Sequence, residues 1–141
     1  MPSSNLELVR SIHAAWDRGD FAAADWAHPE IEYIHADGPV PGHWTGLAGM
    51  AEGWRAFLKT WEGFRTEASD YRELDAERVL VLARFGGRGR TSGLELDRMR
   101  TNSAALFHIR QGKVTRLVIY WDGDRALGDV GLSSDASSPQ L

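Results

Sequence analysis

The stretch Ala104–Asp122, AALFHIRQGKVTRLVIYWD, decides how this chain folds. Two runs rich in Val, Ile, Leu and aromatic residues flank Arg110-Gln111-Gly112-Lys113, and a short polar interval containing Gly between such runs marks a β-hairpin. In the second run Leu117, Ile119 and Trp121 alternate with Arg116, Val118 and Tyr120, and both sets are mostly apolar. A sheet that is apolar on both faces needs two covers. Helices of the same chain must supply one. The expected other is a second copy of the chain, meeting the outer face at Leu106, Val118 and Tyr120, so a homodimer is expected.

Upstream of the hairpin, Arg78–Phe85 (RVLVLARF) reads as a strong strand and Phe64–Leu74 as a weakly patterned one. The glycines of residues 86–93 lie between long strands and predict a bend, after which Leu94–Ile109 reads as one strand entering the hairpin. Arg88 and Arg90 flank that bend and could pair across strands or hold a carboxylate. Further upstream, Gly46 opens a helix in which Met50, Trp54, Phe57, Leu58 and Trp61 form one apolar stripe. Glu30–His35 reads as a brief strand whose inward set is Ile31, Tyr33 and His35. A first helix spans about residues 5–18, opened by Ser4-Asn5-Leu6-Glu7 and stopped by Gly19, and Asp20 caps a short second one ending at His28-Pro29. Beyond the hairpin, Asp124–Leu132 reads as a last helical turn, and residues 133–141 as a flexible polar tail. The chain is therefore one domain, residues 1–132.

Composition removes several classes of function. A net charge of −4 argues against nucleic acid and against a membrane surface, because both partners call for an excess of Lys and Arg. With no cysteine there is neither a thiol nucleophile nor a Cys-held metal. His35, Asp37 and His43 lack a zinc-binding spacing, no phosphate-binding glycine motif is in register and no Gly-x-Ser-x-Gly is present, so neither metal nor cofactor is expected. No signal core or spanning segment is evident, and a cytoplasmic protein is the expectation. Six Trp, five Phe and three Tyr suit either a bulky core or an apolar pocket. His35 closes its strand at the rim of that interior, where an imidazole can act as general base or serve as a hydrogen-bonded structural group.

The order helix, short helix, strand, loop, aromatic helix and long strands resembles the nuclear transport factor 2-like superfamily, in its SnoaL-like and ketosteroid-isomerase-like branch. The likeness is carried by Asp17-x-Gly-Asp20-Phe21, His28-Pro29-Glu30-Ile31-Glu32-Tyr33, Gly46, and Gly112-Lys113-Val114 with Tyr120-Trp121-Asp122. It implies an α+β cone in which a strongly bent, mostly antiparallel sheet wraps three helices of the N-terminal half. It also implies an apolar pocket lined by Tyr33, His35, Trp54, Phe57, Trp61, Phe107, Leu117, Ile119 and Trp121. Laid on this chain, the isomerases' base carboxylate falls at or next to His35, their oxyanion-hole acid at Ala105 and their first-helix tyrosine at Ile12, so a steroid isomerase is not expected.

Two functions stay open. In one, the chain binds a small hydrophobic molecule and acts on it by proton transfer or water addition, with His35 as base and Tyr33 or a loop residue as hydrogen-bond donor. In the other it is a non-catalytic ligand-binding or dimerisation module of the same fold.

Overall fold

A computed structural model describes residues 4–20, 25–37, 41–89 and 103–131. Its elements in chain order are α1 (Ser4–Asp17), β1 (Ala27–His35), β2 (Gly42–Thr45), α2 (Gly46–Leu58), β3 (Trp61–Glu73), β4 (Arg78–Gly89), β5 (Ser103–Arg110), β6 (Lys113–Tyr120) and α3 (Gly123–Asp129). The hairpin forms as its turn chemistry dictates. Arg110 pairs with Lys113 across a two-residue turn whose Gln111 and Gly112 have φ of 51° and 79°. Two successive left-handed residues twist the chain in the sense the flanking strands need, which is why Gly occupies the second position.

The six strands form one open sheet in the order β2-β1-β6-β5-β4-β3. Only β1 against β6 is parallel among these pairs, and the others are antiparallel. The expected α+β architecture with a mostly antiparallel sheet is therefore present. A flat sheet would hold β1 and β3 about 19 Å apart at ~4.8 Å per strand. Yet His35 of β1 and Thr66 of β3 line the same hollow, so the sheet curls.

On the concave face, Val9, Ile12, His13 and Trp16 of α1 and Met50, Gly53, Trp54 and Phe57 of α2 are the buried helical residues. They meet Leu117, Ile119 and Trp121 from the hairpin. Burying each such large side chain contributes roughly 1.5–3 kcal/mol.

The convex face is covered by the chain itself to a degree its sequence did not announce. Ala126 and Leu127 of α3 join Leu80, Ala104, Leu106, Val118 and Tyr120 in a second apolar cluster. Leu106, Val118 and Tyr120 are 5%, 7% and 4% exposed in the single chain, so a second copy would seat on α3 or displace it to reach them. The helix is tied down at both ends. Asp122 accepts from the amides of Asp124 and Arg125, and the Tyr120 hydroxyl donates to Asp129 at 3.0 Å.

Other expectations change in detail. Trp61 is not the last residue of a helical stripe. α2 stops at Leu58 and Trp61 opens β3, its ring 5.4 Å from that of Trp121. Gly42–Thr45, between the first strand and the aromatic helix, forms an edge strand on β1 that was not expected. Two helices of the described residues lie in the N-terminal half and the third follows the hairpin. The short second helix, Arg90 with the far side of the glycine bend, the segment 94–102 and the tail 133–141 fall on or across residues outside those described. Among the described residues, no helix is long and apolar enough to cross a membrane.

Candidate functional site

Strand β1 places the site. Its alternation turns Ile31, Tyr33 and His35 inward, with 0%, 0% and 3% exposure, as the sequence pattern requires. It runs parallel to β6, with Tyr33 opposite Leu117 and His35 opposite Ile119. α2 lies across it, and the contact is close because Gly53 has no side chain. A Cβ there would come within 2.8 Å of the Trp44 ring and 3.0 Å of the Tyr33 ring. Tyr33 accordingly stacks on Trp54 at 5.3 Å, and Phe57 lies 4.9 Å from the His35 ring.

The Tyr33 hydroxyl and His35 Nε2 are 2.7 Å apart. Either the hydroxyl donates to a bare Nε2 or a protonated Nε2 donates to the hydroxyl oxygen, and the tautomer decides which. His35 Nδ1 is buried and has no hydrogen-bond partner. Burial lowers the His35 pKa to about 4, so the ring is neutral at pH 7, and burial pushes the Tyr33 hydroxyl well above its ordinary range, so it keeps its proton.

The ring faces a hollow of about 10 Å³, room for one water-sized group. Of the expected pocket residues, His35, Trp54, Phe57 and Ile119 line it. Tyr33, Trp61, Phe107, Leu117 and Trp121 do not line it, and they pack in the solid part of the same core. The resemblance placed an oxyanion-hole acid at Ala105, and that residue lines the hollow with a methyl group.

The rest of the wall was not expected from the sequence: Trp16, Phe64, Ala83, Phe85 and Ala104, with two polar side chains, His13 and Thr66. His13 is 3% exposed, with neither ring nitrogen partnered and its pKa lowered to about 4 by burial. A signal for it existed. Val9, Ile12, His13 and Trp16 stand at i, i+3, i+4 and i+7, so the helical period alone puts the imidazole on the apolar face. Thr66 carried no such signal, because β3 shifts register against β4 between Glu62 and Arg65 and the strand's alternation changes parity there.

The polar residues near the site have structural work. Asp37 accepts from the amides of Trp121 and Asp122 at 2.6 and 3.3 Å. His43 pairs with Glu32 at 3.2 Å on the exposed edge. His108, half-buried on the sheet, has its pKa lowered by burial and by Arg116 and Arg78.

A family model for the SnoaL-like domain matches residues 9–117. No curated protein matches the chain. Among solved structures, an NTF2-like protein from Burkholderia thailandensis is 21% identical with a TM-score of 0.73, covering 99% of this chain and 100% of its own. An NTF2-like protein of unknown function from Burkholderia pseudomallei is 18% identical with the same TM-score, over 92% and 99%. A hypothetical protein with a ketosteroid isomerase-like fold from Catenulispora acidiphila, in complex with trimethylamine, is 18% identical with a TM-score of 0.63, over 95% and 98%. At these identities the likeness establishes the fold.

Proposed function

Because the chain belongs to the SnoaL-like domain family, we propose that its cone takes in a small hydrophobic molecule and moves a proton on it, with His35 as base and Tyr33 as the partner that holds the ring. What carries the reading is a single observation: a buried imidazole on the wall of the hollow has one nitrogen paired to Tyr33 and the other without a partner.

With Nε2–H donating to the Tyr33 oxygen, Nδ1 bears a lone pair that can accept a proton from an acidic C–H. The Tyr33 oxygen then steadies the imidazolium. A ring whose pKa is about 4 accepts a proton weakly and returns it fast. That favours a give-and-take transfer on a carbon made acidic by a neighbouring carbonyl over net release of a proton.

The test is deuterium uptake. A thermal-shift screen of small apolar carbonyl compounds supplies the ligand, since binding raises the melting temperature. In D2O the wild type exchanges the acidic C–H, and His35→Ala slows that exchange by about 10²–10⁴-fold, the usual worth of a positioned base. Exchange at the wild-type rate in His35→Ala would remove His35 from the role.

One observation favours the second reading, a non-catalytic module. The hollow of about 10 Å³ is walled largely by aromatic rings, so a ligand enters only if they move. A wild type that binds screened ligands without exchanging their protons is that module. A homodimer through the outer sheet face, seated against α3, is proposed alongside either reading. Light scattering at micromolar concentration should give twice the chain mass, and a monomer mass would count against it.

A further inference from the structure

Strand β2 is the outer edge of the sheet, and its register decides what covers the Tyr33–His35 pair from that side. Trp44 stands opposite Tyr33 and Gly42 opposite His35, so both lie on the face that carries the pair. The edge position beside His35 therefore has no side chain. The Trp44 indole lies across it instead, since a Cβ at Gly42 would come within 2.6 Å of the outermost ring carbon, Cη2. Gly53 of α2 approaches the same ring at Cδ2, where a Cβ would come within 2.8 Å. The indole thus occupies a slot made by two glycines, although glycine weakens a helix interior. Its centroid is 5.8 Å from that of Tyr33 and 5.9 Å from that of His35. Of the other rings of the described residues that meet the pair, Trp54 and Phe57 are 6% and 2% exposed. Trp44 is half-buried, so it touches both the pair and solvent.

Resting on the reading of His35 as base, we propose that Trp44 is the gate to it: a ligand reaches Tyr33 and His35 from the β2 edge when the indole swings out of its glycine slot. Two features make this ring, rather than Trp54 or Phe57, the one that moves. β2 has four residues and one neighbouring strand, so its side chains are held by fewer partners than those of α2 and the inner strands. Outward rotation also leaves a glycine, with no side chain, between the strand edge and His35. The packed aromatic wall of the hollow then stays in place.

Diethyl pyrocarbonate tests the gate without any substrate. It transfers an ethoxycarbonyl group to an unprotonated imidazole nitrogen, releasing carbon dioxide and ethanol, and peptide mass mapping reads each histidine separately. His13 is the internal control. It is as buried as His35, its pKa is lowered to about 4 in the same way, and its ring meets Trp16, Tyr71 and Phe107.

At neutral pH wild-type His35 should react at least ~10-fold more slowly than the exposed His43, because it reacts only when the gate opens. In Trp44→Ala the His35 rate should rise at least ~10-fold, with His13 unchanged to within about twofold. Gly42→Ala should act in the same direction, because its Cβ displaces the far end of the indole, and it carries the test if Trp44→Ala does not fold. Gly49→Ala, whose Cβ meets Trp44 in ordinary contact at 3.5 Å, should leave His35 protected. No rise at His35 in folded Trp44→Ala or Gly42→Ala, an equal rise at His13, loss of protection in Gly49→Ala, or a wild type in which His35 reacts as fast as His43 would each overturn the proposal. Its failure is separable from that of His35 as base. Exposure of His35 in Trp44→Ala without deuterium exchange by the wild type defeats only the base. Exchange that depends on His35, with its protection indifferent to Trp44, defeats only the gate.

Discussion

Between pH 6.5 and pH 4 the folded chain should lose about 6 kcal/mol of stability, half from His13 and half from His35. In the unfolded chain each imidazole takes up a proton as pH falls below 6.5. In the folded chain burial delays that uptake to about 4. Proton binding in this window therefore favours the unfolded state. The stabilisation is complete above pH 6.5, drains away as pH falls, and is gone once both folded groups have titrated. A difference of ~2.5 pH units at 1.36 kcal/mol per unit is about 3 kcal/mol for each ring. Domains of this size are typically stable by roughly 5–15 kcal/mol, so the loss is a large part of the total and unfolds the chain in mild acid where its neutral stability lies toward the lower end. Circular dichroism followed against pH, with urea melts at pH 6.5 and pH 4, reads the loss directly. The double variant His13→Leu/His35→Leu should stay folded to lower pH than the wild type. Coincident midpoints for the two proteins would assign the acid transition to other groups.

The second large effect is at Phe57, which is 2% exposed. Its ring centroid is 4.9 Å from that of His35, 4.8 Å from that of Phe64 and 5.9 Å from that of Trp121. Phe57→Ala removes a ring from a wall that rigid aromatic neighbours on β1, on β3 and just past β6 cannot close. The loss should fall at about 3–5 kcal/mol, the range for deep Phe truncations. Urea denaturation reads it as a lower midpoint with an unchanged slope. The same change joins the vacated ring volume to the existing hollow, so toluene should raise the melting temperature of Phe57→Ala more than that of the wild type. A loss under ~1 kcal/mol, or equal toluene shifts, would mean that α2 settles inward and refills the space.

Both effects come from an interior that combines dense aromatic packing with imidazoles that have given up water. Exposed pairs such as Arg110–Glu77 should do less for the pH response than these two rings, because solvent screens them. The design also explains why α2 carries Gly53 at its point of closest approach. Helix propensity is given up there so that Tyr33 can lie against Trp54 with its hydroxyl at His35.

Much of this was legible in the residues. Gln111-Gly112 specified a tight hairpin, a period of two turned Tyr33 and His35 inward, and the stripe Met50, Trp54, Phe57 located the helix over them. These are local rules, decided by neighbours a few residues apart. Trp61 was misplaced because an aromatic at helical spacing and one opening a strand look alike until the backbone changes direction. Asp122, just past the hairpin, caps α3.

What the sequence alone determined was therefore most of the elements, the hairpin at the middle of the sheet, the α+β cone and the inward side of β1. Tertiary structure alone decided which aromatics enclose a hollow and which pack solid, that His13 and Thr66 share that hollow with His35, and that α3 covers the convex face. The reason is physical: alternation and turn chemistry act along the chain, whereas the curl that brings β1 to β3 sums twists over the whole sheet and a bulge in β3 whose position no local pattern announces.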